Sequence, residues 1–89
     1  MIVREVTVTN QAGVHTRPAS MIVRTAARFK SEFLIQKDGY EINGKSIIGV
    51  MTLAAEQGTT LTLLFEGSDE EEAAEALAQL FAGGFGEVT

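Results

Sequence analysis

The chain has 89 residues, of which 45% are hydrophobic and 21% charged, with a formal net charge of −5 and no cysteine. That length suits one small domain burying somewhat more than ~60% of its unfolded surface, and the apolar share excludes disordered and collagen-like chains. The missing cysteines exclude disulfides and thiolate metal sites, and the acidic balance disfavours general nucleic-acid binding, which demands a cationic surface.

The stretch MIVREVTVTN places Arg4 and Glu5 where a signal peptide needs an apolar run, and no later stretch approaches the ~18 apolar residues of a membrane helix. A cytoplasmic, membrane-free protein is therefore expected, with residues 1–89 forming a single domain. In IVREVTVT, Val6 and Val8 alternate with Thr7 and Thr9, which predicts a strand with one buried face. NQAGV breaks it. From Thr16 the apolar residues Ala19, Ile22, Val23, Ala26 and Phe29 recur at spacings of three and four, and Pro18 is tolerated because it lies in the first turn. A helix therefore starts immediately after His15.

EFLIQKDGYEIN reads as two antiparallel strands around Asp38-Gly39, a tight turn that requires positive φ. GKSIIGVMTLAAEQG predicts a short helix opening at Ser46, with Gly49 costing it ~1 kcal/mol relative to alanine. TTLTLLFEG returns to alternation and sets Leu61, Leu63 and Phe65 on one face. SDEEEAAEALAQLFAGG predicts a last helix with Ser68 as N-cap, Glu71 completing a capping box, and Gly83 and Gly84 as its stop. Its acidic run suits the positive end of the helix dipole, and the competing reading is an acidic surface for a partner. The order βαββαβα describes an α+β fold, with four antiparallel strands in one layer, three helices on one face and the other face partly open to water.

The only histidine and the only proline of the chain stand together in AGVHTRPAS, Ala12 to Ser20. An imidazole just ahead of a helix meets unpaired backbone N–H groups, here those of Thr16 and Arg17, and the positive end of the dipole. This setting favours the neutral, nucleophilic ring and stabilises an anion attached to it, and Arg17 adds a guanidinium fork that chelates phosphate oxygens. Gly13, His15, Arg17 and Pro18 thus supply a flexible turn, a nucleophile, an anion clamp and a helix start, the makings of a histidine that accepts and releases a phosphoryl group. With no cysteine and no paired carboxylate close by in sequence, His15 forms no triad and no typical zinc site, so partner enzymes are needed on both sides and neither cofactor nor metal is expected. In the plainer alternative, His15 only caps the helix and Arg17 is a solvated surface residue.

GVHTRPAS resembles the active-site signature of the HPr family, the histidine-containing phosphocarriers of the bacterial phosphoenolpyruvate-dependent sugar phosphotransferase system. INGKSIIGVMTLAA resembles the family's second signature, around a regulatory serine, so the likeness covers essentially the whole chain. The resemblance implies the HPr-like open-faced β-sandwich. It implies that enzyme I phosphorylates His15 on Nδ1, that Arg17 binds the phosphate, and that the group passes to sugar-specific A components of transporters. It further implies that Ser46 is the target of an ATP-dependent serine kinase/phosphorylase, with a transcriptional regulator as a further partner. Ile48 stands where many Gram-positive members have methionine, and TLAA replaces a more usual SLG ending, departures that bear on the transcriptional partner and not on the carrier role.

At 100° per residue, Arg17, Arg24 and Arg28 would fall within roughly 40° of one another, a basic stripe leading from the site that could steer acidic partners. The competing reading is a solvated helix face. Ile47, Ile48 and Met51 have the spacing of core residues, but so short a helix cannot bury all three, and the resemblance supports docking by Ile47 and Met51. Serine is also a favoured N-cap, a purely structural reading of Ser46. Two other functions compete: a regulatory HPr-like module acting mainly through Ser46 or in nitrogen-linked signalling, against which the retained His15 and Arg17 argue, and a nucleic-acid-binding α+β domain, disfavoured by charge and by the lack of an aromatic strand platform. A monomer is expected.

Overall fold

The alternating segments form one four-stranded antiparallel sheet in the computed structural model, which describes residues 1–87. In chain order the elements are β1 (Ile2–Thr7), α1 (Thr16–Ala26), β2 (Glu32–Lys37), β3 (Tyr40–Asn43), α2 (Ile47–Thr52), β4 (Thr60–Glu66) and α3 (Glu70–Ala82), followed by a single 3-10 turn at Gly84–Gly86. The strand order is β1-β4-β2-β3, so the last strand enters between the first two and pairs antiparallel with both. This is the expected βαββαβα arrangement.

Period-two alternation decides which side chains meet. Leu61, Leu63 and Phe65 of β4 and Phe33 and Ile35 of β2 are buried beneath the helices, against Ile22 of α1, Val50 of α2, and Leu77 and Phe81 of α3. Each such side chain contributes ~1.5–3 kcal/mol by leaving water. Phe33 and Phe65, opposite each other in the β2–β4 register, stack with ring centroids 4.8 Å apart. α3 lies over β1 and β4, while α1 packs against α2 and α3. On the other face Val3, Leu64, Leu34 and Asn43 form one cross-strand row, with Val3 exposed to water. Asp38 (φ 49°) and Gly39 (φ 86°) are both left-handed, as a two-residue hairpin between twisted strands requires.

Two local expectations are corrected. α3 is capped at Asp69, not Ser68, and Asp69 turns its carboxylate away from its own helix. It accepts the backbone N–H groups of Lys30 (2.8 Å) and Ser31 (3.0 Å) and the hydroxyl of Ser31. Ser31 is buried, and the turn between α1 and β2 competes successfully for the carboxylate. Glu70, not Glu71, then reaches back to accept the N–H of Gly67 at 3.1 Å, so the reciprocal half of the capping pattern survives one residue earlier. The second correction concerns Arg28. α1 ends at Ala26, so Arg28 follows no helical projection, and its guanidinium lies 5.4 Å from the centroid of the Phe29 ring.

Candidate functional site

The loop ahead of α1 is set by backbone bonds: Gly13 N donates to Asn10 O (3.1 Å), Val14 N to Ala55 O (2.8 Å) and His15 N to Gly13 O (3.0 Å). Gly13 has φ 73°, and a Cβ on it would lie 2.5 Å from the Ala55 carbonyl oxygen, so the turn demands glycine on two counts. Val14 is buried, and the chain then enters α1 with His15 at the N-cap in an extended conformation (φ −88°, ψ −162°). The His15 side chain makes no capping hydrogen bond, which removes the reading of His15 as a mere cap. Ala19 N bonds back to His15 O, and Pro18 has no N–H. The donors of the first turn left without an intrahelical partner are therefore those of Thr16 and Arg17.

The imidazole turns instead toward the end of the chain. His15 Nε2 lies 2.8 Å from Oε2 of Glu87, and the same oxygen accepts from Arg17 Nη1 at 3.3 Å. Arg17 Nη1 also donates to the Phe85 carbonyl at 3.0 Å, and the buried Asn10 donates from Nδ2 to Glu87 Oε1 and to Gly13 O, both at 2.8 Å. The Asn10 amide first, then His15 and Arg17, hold the Glu87 carboxyl below the usual glutamate range against the opposing effect of its partial burial. The side chains of His15 and Arg17 are 43% and 56% exposed and that of Glu87 only 17%, so the imidazole is open to solvent while the carboxylate beneath it is held.

His15 and Arg17 are thus brought together as their spacing indicates. A carboxylate, that of Glu87, also stands at the histidine, brought there from 72 residues away where no reading of the neighbouring sequence could place it. Neither Glu87 nor Asn10 was singled out in the sequence, because their approach depends on the 3-10 turn after α3, where Gly83 and Gly84 read only as a helix stop.

Ser46 is the N-cap of α2, and its Oγ accepts from Gly49 N at 3.2 Å. Of the residues that follow, Val50 is buried, whereas Ile47, Ile48 and Met51 are 38%, 74% and 44% exposed. The core reading fails for all three. α2 packs against α1, so this apolar surface adjoins the helix that carries Arg17 and Arg24. Arg24, in the last turn of α1, lines a shallow hollow with Met21, Thr25 and Arg28, so both arginines border one hollow although Arg28 lies beyond the helix.

Comparison with known proteins identifies relatives along the full chain. A family model described as "PTS HPr component phosphorylation site" matches residues 2–83. The chain is 47% identical over 87 residues to the phosphocarrier protein HPr of Treponema pallidum, covering 98% of this chain and 99% of that one. It is 49% identical over 77 residues to the HPr-like protein Crh of Halalkalibacterium halodurans, covering 86% of this chain and 92% of that one. Among solved structures, HPr of Thermoanaerobacter tengcongensis superposes with a TM-score of 0.96 at 42% identity, covering both chains completely.

Proposed function

The chain belongs to the HPr family of phosphocarriers of the sugar phosphotransferase system, and we propose that His15 is its phosphoryl-bearing residue. In this reading His15 receives the group from phospho-enzyme I on Nδ1 and passes it to sugar-specific A components. The observation that supports it most directly is the exposed imidazole at the N-cap of α1, not used for capping, with Arg17 beside it. The first-turn amides of Thr16 and Arg17 and the guanidinium of Arg17 offer donors to phosphate oxygens.

A carrier must hold its phosphate moderately, since each ~1.4 kcal/mol of added stabilisation makes onward transfer tenfold less favourable. A helix end contributes ~0.3–1 kcal/mol to an anion, and a hydrogen bond to a charged group ~1.5–3 kcal/mol. Such a site orients the phosphoryl group without trapping it. Transfer between two histidines requires in-line geometry and charge neutralisation more than further covalent groups, so the chain acts as a relay intermediate rather than as an enzyme with its own turnover.

The same proposal assigns partner docking to Arg24, Ile47 and Met51, next to the site through the α1–α2 contact, and regulation by a serine kinase to Ser46. It includes a transcriptional regulator as a further partner, a monomeric state, a cytoplasmic setting and a single domain. The continuous core of residues 1–87 supports the single domain, and no helix among the described residues is long and apolar enough to cross a membrane. The test is incubation with enzyme I and phosphoenolpyruvate, followed by intact mass. One acid-labile phosphate is expected; a chain that stays unmodified would favour the regulatory module.

A further inference from the structure

An ionised carboxylate only accepts hydrogen bonds, so the 2.8 Å contact between Glu87 Oε2 and His15 Nε2 places a proton on Nε2. In the neutral ring the lone pair then belongs to Nδ1. The carboxylate that imposes this choice is built into the fold. Gly84, Phe85 and Gly86 have φ of 61°, 59° and 71°, three successive left-handed residues that reverse the chain after α3 and aim Glu87 back at α1. Phe85 is buried and packs edge-on against Phe81, with centroids 5.0 Å apart, and its carbonyl is held by Arg17. Asn10, wholly buried, grips the second carboxylate oxygen.

Building on the phosphocarrier reading, we propose that Glu87 is a positioning residue for the transfer: it holds the proton on Nε2 of His15 before and after the phosphoryl group arrives. The Nδ1 lone pair attacks the phosphorus of the donor phosphohistidine and forms the new N–P bond. The old N–P bond breaks with its electron pair returning to the donor nitrogen. Because Nε2 keeps its proton, the product ring is cationic and is paired with the Glu87 carboxylate, and it leaves as neutral imidazole when the next acceptor attacks. The phosphoryl oxygens and Glu87 share Arg17, so the carboxylate also keeps the clamp from closing fully on the phosphate.

The test uses the full chain with Glu87→Ala and Glu87→Gln, each first checked for a parental circular dichroism spectrum. In the unphosphorylated proteins, 15N spectra of His15 read the tautomer. In Glu87→Ala the Nδ1 and Nε2 resonances are expected to move toward each other as the Nδ1–H form gains population. Glu87→Gln, whose amide oxygen accepts the same bond, should stay close to the parent. After charging with enzyme I and phosphoenolpyruvate, the Glu87→Ala phosphohistidine should survive several-fold longer at neutral pH and pass its phosphate on several-fold more slowly, with Glu87→Gln between. Parental spectra together with parental lifetime and transfer in Glu87→Ala would overturn the role of Glu87 alone. A parent chain that accepts no phosphate would overturn the carrier reading, and the transfer role of Glu87 with it.

Discussion

Glu87 Oε2 lies 2.8 Å from His15 Nε2 across 72 positions of sequence, so the proposed phosphorylation site is closed by the segment that follows the last helix. The position of the imidazole therefore depends on two turns, one at Gly13 and one at Gly84–Gly86, each holding residues at positive φ.

Gly13→Ala should disturb both stability and transfer. A left-handed alanine costs ~1–2 kcal/mol, and its methyl would press on the Ala55 carbonyl that receives the Val14 N–H. A fall in Tm on the order of 10 °C is expected for a domain of this size, with slower phosphorylation as the loop before His15 shifts. A thermal melt and a phosphorylation time course check this; a parental melt would show that the turn is not constrained as described.

Asp69 gives the fold a pH dependence at its acid end. The Ser31 hydroxyl, then the Lys30 amide, lower the Asp69 carboxyl from its ordinary value, while desolvation opposes them less strongly. The unfolded chain binds that proton more readily than the folded chain, so this contribution is full above the ordinary aspartate value and is lost as pH falls through the depressed one. Asp69→Asn should melt below the parent at neutral pH, and the gap should close progressively below about pH 4. Urea unfolding at several pH values reads this, and a gap of constant size would contradict it.

The sequence made most of this fold legible because its signals are local. Leu61, Leu63 and Phe65 alternate, Asp38-Gly39 turns, Ser46 caps α2, and Pro18 marks the first turn of α1, each where its chemistry indicated. Capping at Ser68 failed because the amides of Lys30 and Ser31, far away in the chain, bind the neighbouring Asp69. Arg28 was placed by extending a helix that ends at Ala26. Glu87 was overlooked because its position depends on a left-handed Phe85, a conformation foreign to an aromatic residue and stabilised here by burial against Phe81.

Ser46 offers a separation of structural and regulatory roles. Aspartate is as good an N-cap as serine and adds a charge at the favourable end of α2, so Ser46→Asp should keep the parental melt. The same charge sits beside exposed Ile47 and Met51 and repels the acidic partner surface that Arg17 and Arg24 would attract. Phosphorylation of His15 by enzyme I should slow about tenfold, equivalent to ~1.4 kcal/mol of lost docking. Parental rate with a parental melt would remove docking as the regulated step, and an unfolded variant would leave Ser46 a structural cap.

The central claim is that one exposed imidazole carries the phosphoryl group and Arg17 clamps it. It is tested most directly by the mass of the protein after incubation with enzyme I and phosphoenolpyruvate, for the parent, His15→Ala and Arg17→Ala. His15 is exposed and makes no capping bond, so His15→Ala should remain folded. The expected result is one acid-labile phosphate on the parent, none on His15→Ala, and slow, incomplete loading of Arg17→Ala. A His15→Ala protein that takes up phosphate at the parental rate would contradict the assignment outright.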